Sequence, residues 1–374
     1  MTRKIGALVA LSLLSVSACQ SSSDSGSESG GGTASSNGGS SQSSGGSTQT
    51  AAGTNSSSGA PGVAASAGAT STNAGNAGAT TGGASAGGSG GVSAAGAAGT
   101  GMSGAGGMSM DVCTRWKADR ADLSEGTWSG AVASCTAGDL SADARANSLR
   151  IVNLYRFLAA LPPVTTDPTF DASDQACALM MLANNALSHT PPQTWTCWTQ
   201  QGSDAAGSSN IDSGPAVGAV DAYMIDTGNE TTLGHRRWIL SNSLGPIGIG
   251  GTNKSSCMHT LDGKGKAGKP WMAWPSAGTI PLQALVQMRG ESVDKTGWSI
   301  QSDNIDLRNA MVTVTVDGAS QPVTVTQLEP DYGASYAIDF IPKGWTTQAG
   351  KTYSVSVAGV STPIAYQVAV VDCQ

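Results

Sequence analysis

The sequence predicts an α+β protein: a helix-rich stretch followed by an all-β stretch, both behind a long disordered N-terminal tether. Three observations predict it. Residues 20–110 are almost wholly Gly, Ser, Ala, Thr and Asn, a composition that cannot bury enough apolar surface to offset the entropy of ordering. Residues 141–226 place apolar side chains at helical spacing between capping signals. Residues 311–371 hold short β-branched runs divided by Gly, Pro, Asp and Ser, the spacing of a small β-sandwich.

Residues 1–19 read as a processing signal. Arg3 and Lys4 precede an apolar run of about a dozen residues, too short to span a bilayer comfortably. The run ends in Val16-Ser17-Ala18-Cys19. Small residues before a cysteine resemble the bacterial lipobox, in which the thiol of Cys19 takes a diacylglyceryl group. An ordinary secretory signal with a chance cysteine is the alternative. Acyl chains contribute roughly 0.8 kcal/mol per buried CH₂, so two or more anchor stably. The expected partner is therefore a membrane, reached through a lipid anchor. Gln20 follows the cysteine, where Asp would favour inner-membrane retention; the outer membrane or cell surface is the expected location. The tether over 20–110 should span on the order of 50 Å as a flexible coil. Its Gly83-Ala84-Ser85-Ala86-Gly87 fits the hydrolase pattern G-x-S-x-G but has no strand or helix around it, and reads as chance.

The net charge is −7 and no long basic run exists, which argues against a nucleic-acid partner. Six cysteines follow Cys19: Cys113, Cys135, Cys177, Cys197, Cys257 and Cys373. An even number in an exported chain suggests three disulfides among fifteen possible pairings. The expected set is Cys113–Cys135, Cys177–Cys197 and Cys257–Cys373, because the first two close short loops and the third ties down the chain end. No C-x-x-C occurs, which weakens zinc-finger and thioredoxin readings.

Residues 111–140 read as a loop-rich, disulfide-containing entry segment. Residues 141–161 predict a helix with Ser141 as N-cap and Pro162-Pro163 as its stop. Asp167-Pro168 restarts a helix, a capping Asp before proline in the first turn. It runs to about residue 187, with Phe170, Ala176, Met180, Ala183 and Leu187 as a core stripe. Residues 217–226 predict a third helix. Ile247-Gly248-Ile249-Gly250 reads as a buried strand whose glycines permit close approach. Residues 256–261 and 271–274 are further candidate strands. Gly263, Gly265 and Gly268 between them fit G-x-G-x-x-G, but Pro270 follows instead of a helix, so the dinucleotide reading fails its context. Beyond residue 276, strands are predicted over 311–316, 323–327, 337–341, 353–357 and 366–371.

The order of motifs between Ala142 and Trp274 resembles the CAP superfamily, named for cysteine-rich secretory proteins, antigen 5 and plant pathogenesis-related proteins. Asn153 and Arg156 match the family's opening Asn-x-x-Arg segment. Ser188-His189 ends the second helix. Ser208-Ser209-Asn210-Ile211 stands where the family usually has Gly-Glu-Asn-Ile. Gly234-His235-Arg236, Ile239-Leu240 and Ile247-Gly248-Ile249-Gly250 match its His-Arg, Ile-Leu, Gly-Ile-Gly block. Ala273-Trp274-Pro275 and the β-rich tail look like a bacterial branch that joins a CAP domain to a β-sandwich. The resemblance implies an α-β-α layered domain over 141–275 and a β-sandwich-like domain over 276–374.

The family sets two histidines beside two acids in a cleft, and His189 and His235 match the histidine positions. Two neutral imidazoles could hold a divalent metal such as zinc. The first family glutamate aligns with Ser209, no base at neutral pH. The second has no clear equivalent, although Asp212, Asp221, Asp226 and Glu230 are near in sequence. Ser209, Asn210 and Arg236 are the expected supporting residues, Asn210 by bracing the loop near His189 and Arg236 by bonding loop carbonyls or carboxylates. His259 reads as structural and Trp238 as core. The expected function is non-catalytic: a surface module binding a lipid, a small molecule or an envelope protein. The alternative is a metal-dependent extracellular hydrolase or peptidase using His189 and His235. A purely structural envelope protein is a third reading.

Overall fold

The computed structural model describes residues 105–287 and 290–374. The signal over 1–19, Cys19 and the tether up to residue 104 lie outside the described residues. The first half holds α1 (Ala105–Asp119), α2 (Ala142–Leu158), α3 (Pro168–Asn184), α4 (Gln200–Ala206), β1 (Ser209–Asp212), α5 (Ala216–Ile225), α6 (Gly234–Ile239), β2 (Gly248–Gly251) and β3 (Ser256–His259). The second holds β4 (Met272–Trp274), β5 (Gly278–Pro281), α7 (Val293–Thr296), β6 (Trp298–Ser302), β7 (Met311–Val316), β8 (Ala319–Gln321), β9 (Val323–Gln327), β10 (Tyr336–Pro342), β11 (Thr352–Ala358) and β12 (Ile364–Val371).

The first half is three-layered. Its antiparallel sheet has the order β1-β3-β2. On one face Ile249 and Met258 join the core of α2 and α5. On the other Ile211 and Cys257 meet Cys177, Ala178, Met180 and Met181 of α3 and Ala205 and Ala206 of α4. Pairing explains the split, since Ile249 lies opposite Met258, and Cys257 opposite Ile211. Successive strand residues point to opposite faces.

The α3 helix starts as its sequence requires. The Asp167 side chain accepts from the Thr169 N–H at 2.7 Å, with Pro168 in the first turn. The predicted core stripe is off register: of its five residues only Met180 is fully buried. The face that packs inward includes Asp171, Asp174 and Gln175, polar residues that apolar periodicity overlooks. They cover the free edge of β2 and the end of β3. Asp171 accepts from Ile249 N (2.8 Å), Gln175 accepts from Gly251 N and donates to Gly251 O (3.2 and 3.0 Å), and Asp174 accepts from His259 N (2.8 Å). An exposed strand edge invites pairing with another chain; here helix side chains take the place of the next strand. The approach needs glycine. A Cβ on Gly250 would stand 2.1 Å from the Asp174 carbonyl carbon, and one on Gly248 2.3 Å from the Asp174 carboxylate.

In α2, Asn153 exchanges two hydrogen bonds with the Val164 backbone. Buried Arg156 donates to the carbonyls of Pro162, Ile239 and Ser241. These two motif residues lock the helix to the turn after its C-terminus and to the end of α6.

The entry segment differs from expectation. The α1 helix reaches back to Ala105 and forward to Asp119. It forms because Val112 and Trp116 bury against the core, with Trp116 edge-on to Tyr155 at 6.4 Å. The disulfides also differ. They are Cys113–Cys373, Cys135–Cys197 and Cys177–Cys257, with Cα separations of 5.1, 5.0 and 6.1 Å. None is the short closure expected. Tertiary packing brings α1 beside the chain end and α3 across β3, and only cysteines that packing places together can bond.

The second half is two packed sheets, β4-β6-β10-β9 and β5-β12-β11-β7-β8. Only β5 and β12 pair in parallel. Trp298, Ile300, Ile338 and Phe340 of the first sheet share a core with Tyr353, Val355, Val357, Val368 and Val370 of the second. The same apolar cluster continues into α2 and α5, and β4, which precedes residue 276, pairs with β6. The five predicted strands appear within a residue or two. The β6 strand was not predicted. Its polar residues Ser299, Gln301 and Ser302 are buried instead of facing water, because Ser299 and Gln301 meet arginines of the first half.

Candidate functional site

The α5 helix ends at Asp226, in the left-handed conformation (φ 63°). This turn drives its carboxylate under the following loop. One oxygen accepts from His235 Nδ1 and Asn229 Nδ2, each at 2.9 Å, and the other from the Arg236 backbone N–H at 3.1 Å. The side chain is fully buried. Burial alone would raise its pKa, but the charges of His235 and Arg236 and its hydrogen bonds outweigh that, and it lies below the usual carboxylate range. Asp226 is thus the carboxylate beside the second histidine that no motif identified. An Asp one residue past a helix, in a left-handed turn, was the available signal.

His235 Nδ1 faces both the Asp226 carboxylate and Asn229 Nδ2, each at 2.9 Å; with a proton on Nδ1 shared with the carboxylate, Nε2 is free. The ring stands 4.9 Å from Tyr223 and its side chain is 22 % exposed. His189, exposed after α3, is fixed the same way: Nδ1 donates to the Ala206 carbonyl at 2.8 Å. Desolvation on its packed side, and then the charge of His235, lower its pKa. In each ring Nδ1 is engaged by the protein and Nε2 has no protein partner.

The expected supporting residues divide. Ser209 is buried, and its hydroxyl donates to Asp174 at 2.7 Å. Burial pushes the Asp174 carboxyl up to about 7. Asn210 braces the other histidine from the one expected, donating to the His235 carbonyl at 3.1 Å. Arg236 bonds carbonyls as expected, but it is fully buried and reaches away into the β half. Trp238, expected in the core, is only half-buried; the inward positions of α6 are taken by Arg236, Arg237 and Ile239. His259 stacks on Phe170 at 3.9 Å.

Of the other acids, Asp221 is held by Arg120 and Tyr155, and Glu230 is exposed and accepts from Gly228 N. Asp212 accepts from Gly214 N at 2.6 Å; burial raises its pKa, and the charge of His235 acts against that rise.

The two free Nε2 atoms suit a divalent ion. Yet among the described residues no group of three or more His, Cys, Asp or Glu is placed to hold one. Ser209 is committed to Asp174 and Asp226 to His235. The residues do not fit the three-ligand centre of a metal hydrolase.

A three-layered α-β-α domain joined to a β-sandwich, with one histidine in the loop after α3 and one at the start of α6, defines the class of protein. The cysteine-rich secretory protein family, CAP, matches residues 149–258. That stretch of the chain is a CAP domain; such domains are typically extracellular, and the three disulfides are compatible with an extracytoplasmic location. Comparison with curated proteins and with solved structures returned no match.

Proposed function

We propose that the chain is a lipid-anchored surface module whose CAP domain binds a ligand or an envelope partner without turning it over. The observation that carries this reading is the commitment of the carboxylate beside the cleft. The carboxyl that the family resemblance would set in the cleft as general acid or base has to be free to exchange a proton with a reactant. Asp226 is buried, with both oxygens engaged, and the position matched to a family glutamate is Ser209. The long tether and acylation cysteine suit presentation at a distance from a membrane.

The test is hydrolysis of a broad peptide and ester library by the full chain supplied with Zn²⁺, beside the His189→Ala/His235→Ala double variant. Equal background rates are expected. A rate that falls roughly 10²–10⁴-fold in the double variant would overturn the reading in favour of the hydrolase, with Asp212 as the carboxylate to examine. The anchor is tested separately: Cys19→Ser should move the protein from the membrane fraction to the soluble fraction.

A further inference from the structure

Arg236 and Arg237 follow His235 directly, and both are buried. A buried guanidinium is costly unless its donors are satisfied, so where those donors point shows what the arginines are for. Arg236 donates to Met224 O and Ile225 O at the end of α5, each at 2.7 Å. Its remaining bonds cross to the β half: Gly297 O at 2.7 Å, Thr296 Oγ1 at 2.8 Å and Ser299 Oγ at 3.3 Å. Arg237 donates to Thr232 O at 2.9 Å, then to Glu329 O at 2.7 Å and Ala334 O at 3.1 Å. Gln301 of β6 receives a bond from Arg237 Nε and returns one to its carbonyl.

The loop between β9 and β10 closes on the same segment. Glu329 N donates to Thr231 O at 3.0 Å. Leu233 packs with Leu328 and Ala337 as a small separate core. The Tyr332 ring covers Gly234, where a Cβ would stand 2.8 Å from ring carbon Cδ1. The first half holds the segment as well, through Asp226, Asn210 and Arg156, but the β half takes at least an equal share of the buried guanidinium bonds. No disulfide reaches residues 226–239, and a six-residue helix such as α6 does not hold itself.

We infer that the β-sandwich is a working part of the histidine cleft: through Arg236 and Arg237, acting as positioning residues, it fixes the wall that carries His235. The CAP segment supplies the groups that touch the ring, Asp226 above all; the β-sandwich fixes the backbone that carries it. This rests on the reading above only in taking the histidine pair as the site; the positioning itself needs no ligand.

The chain has three histidines, so ring ¹⁵N signals of the full chain in detergent report each imidazole and its protonated nitrogen. Thr296→Val removes the hydroxyl that Arg236 reaches while keeping its shape. Tyr332→Ala removes a partly exposed ring without entering the main core. Both should shift or broaden the His235 signals and leave His259 as in the wild type. Thr296→Ser should restore the wild-type spectrum, and Met311→Ala, an exposed position elsewhere in the sandwich, should change nothing. Unaltered His235 signals in a folded Tyr332→Ala protein overturn the inference, as does movement of all three histidines together. Should Thr296→Val fail to fold, Tyr332→Ala decides. The spectra are recorded without ligand or substrate, so turnover in the library assay leaves this result standing.

Discussion

His189 follows a helix that one disulfide ties to the sheet, in a loop that a second disulfide ties to the entry segment, whereas His235 sits in a segment that no disulfide touches. The first wall is pinned covalently around a small apolar core. The second is pinned by buried guanidinium groups that bond across to the β-sandwich. Covalent pins act mainly by limiting the unfolded chain. Polar pins act in the folded state, and each lost partner leaves a buried group unsatisfied. The two walls should therefore fail under different challenges.

The largest effect is expected from Arg236→Ala. It strands the carbonyls of Met224, Ile225 and Gly297, and each buried acceptor left unsatisfied costs about 1–3 kcal/mol. Urea denaturation measures it, and a loss below about 1 kcal/mol would break the comparison. Next is the double variant Cys177→Ala/Cys257→Ala, expected to lose about 2–4 kcal/mol. Hydrogen exchange should show that loss as opening of α3 and the His189 loop, with residues 226–239 still protected.

The walls should also respond to pH in opposite senses. The Asp174 pKa is raised from its ordinary 3.8 to about 7. The folded state holds that proton more tightly, so its contribution is full at acid pH and is lost as pH rises from about 4 to about 7. Asp226 is lowered from 3.8; its contribution is present above about pH 4 and is lost as pH falls further. Denaturation midpoints between pH 4 and 7 should lose their falling component in Asp174→Asn. Below pH 4 they should lose their acid-sensitive component in Asp226→Asn. An unchanged pH profile in both variants would sink this assignment of opposite roles. The smallest effect is expected from Ser209→Ala, which removes one hydrogen bond to Asp174 at about 1 kcal/mol, measured by the same denaturation. A much larger loss would mean that the Ser209 position does more than support Asp174.

The sequence made the His189 wall partly legible. The Asp167-Pro168 cap and the Gly248 and Gly250 pair are local signals with local causes, whereas the helix expected to stop at Ser188-His189 ends at Asn184, with Asn185 as a left-handed cap. It hid the polar face of α3, because Asp171, Asp174 and Gln175 gain meaning only against the edge of β2. Little of the His235 wall was legible beyond the histidine itself. The Asp226 carboxylate and the destinations of Arg236 and Arg237 depend on residues that lie from nine to about a hundred positions away. The β6 strand was missed for the same reason: its polar face meets buried arginines and not water.

What the sequence by itself determined is what neighbouring residues decide: helix caps and breaks, the alternation of the five predicted strands, the family motifs and the two histidines. The tertiary structure alone decided which cysteines pair, which carboxylate holds His235, and that the two arginines after His235 bond across to the β-sandwich. Those outcomes depend on distance in space between groups remote in sequence, and on burial that makes an unsatisfied charge or carbonyl too costly to leave unpaired.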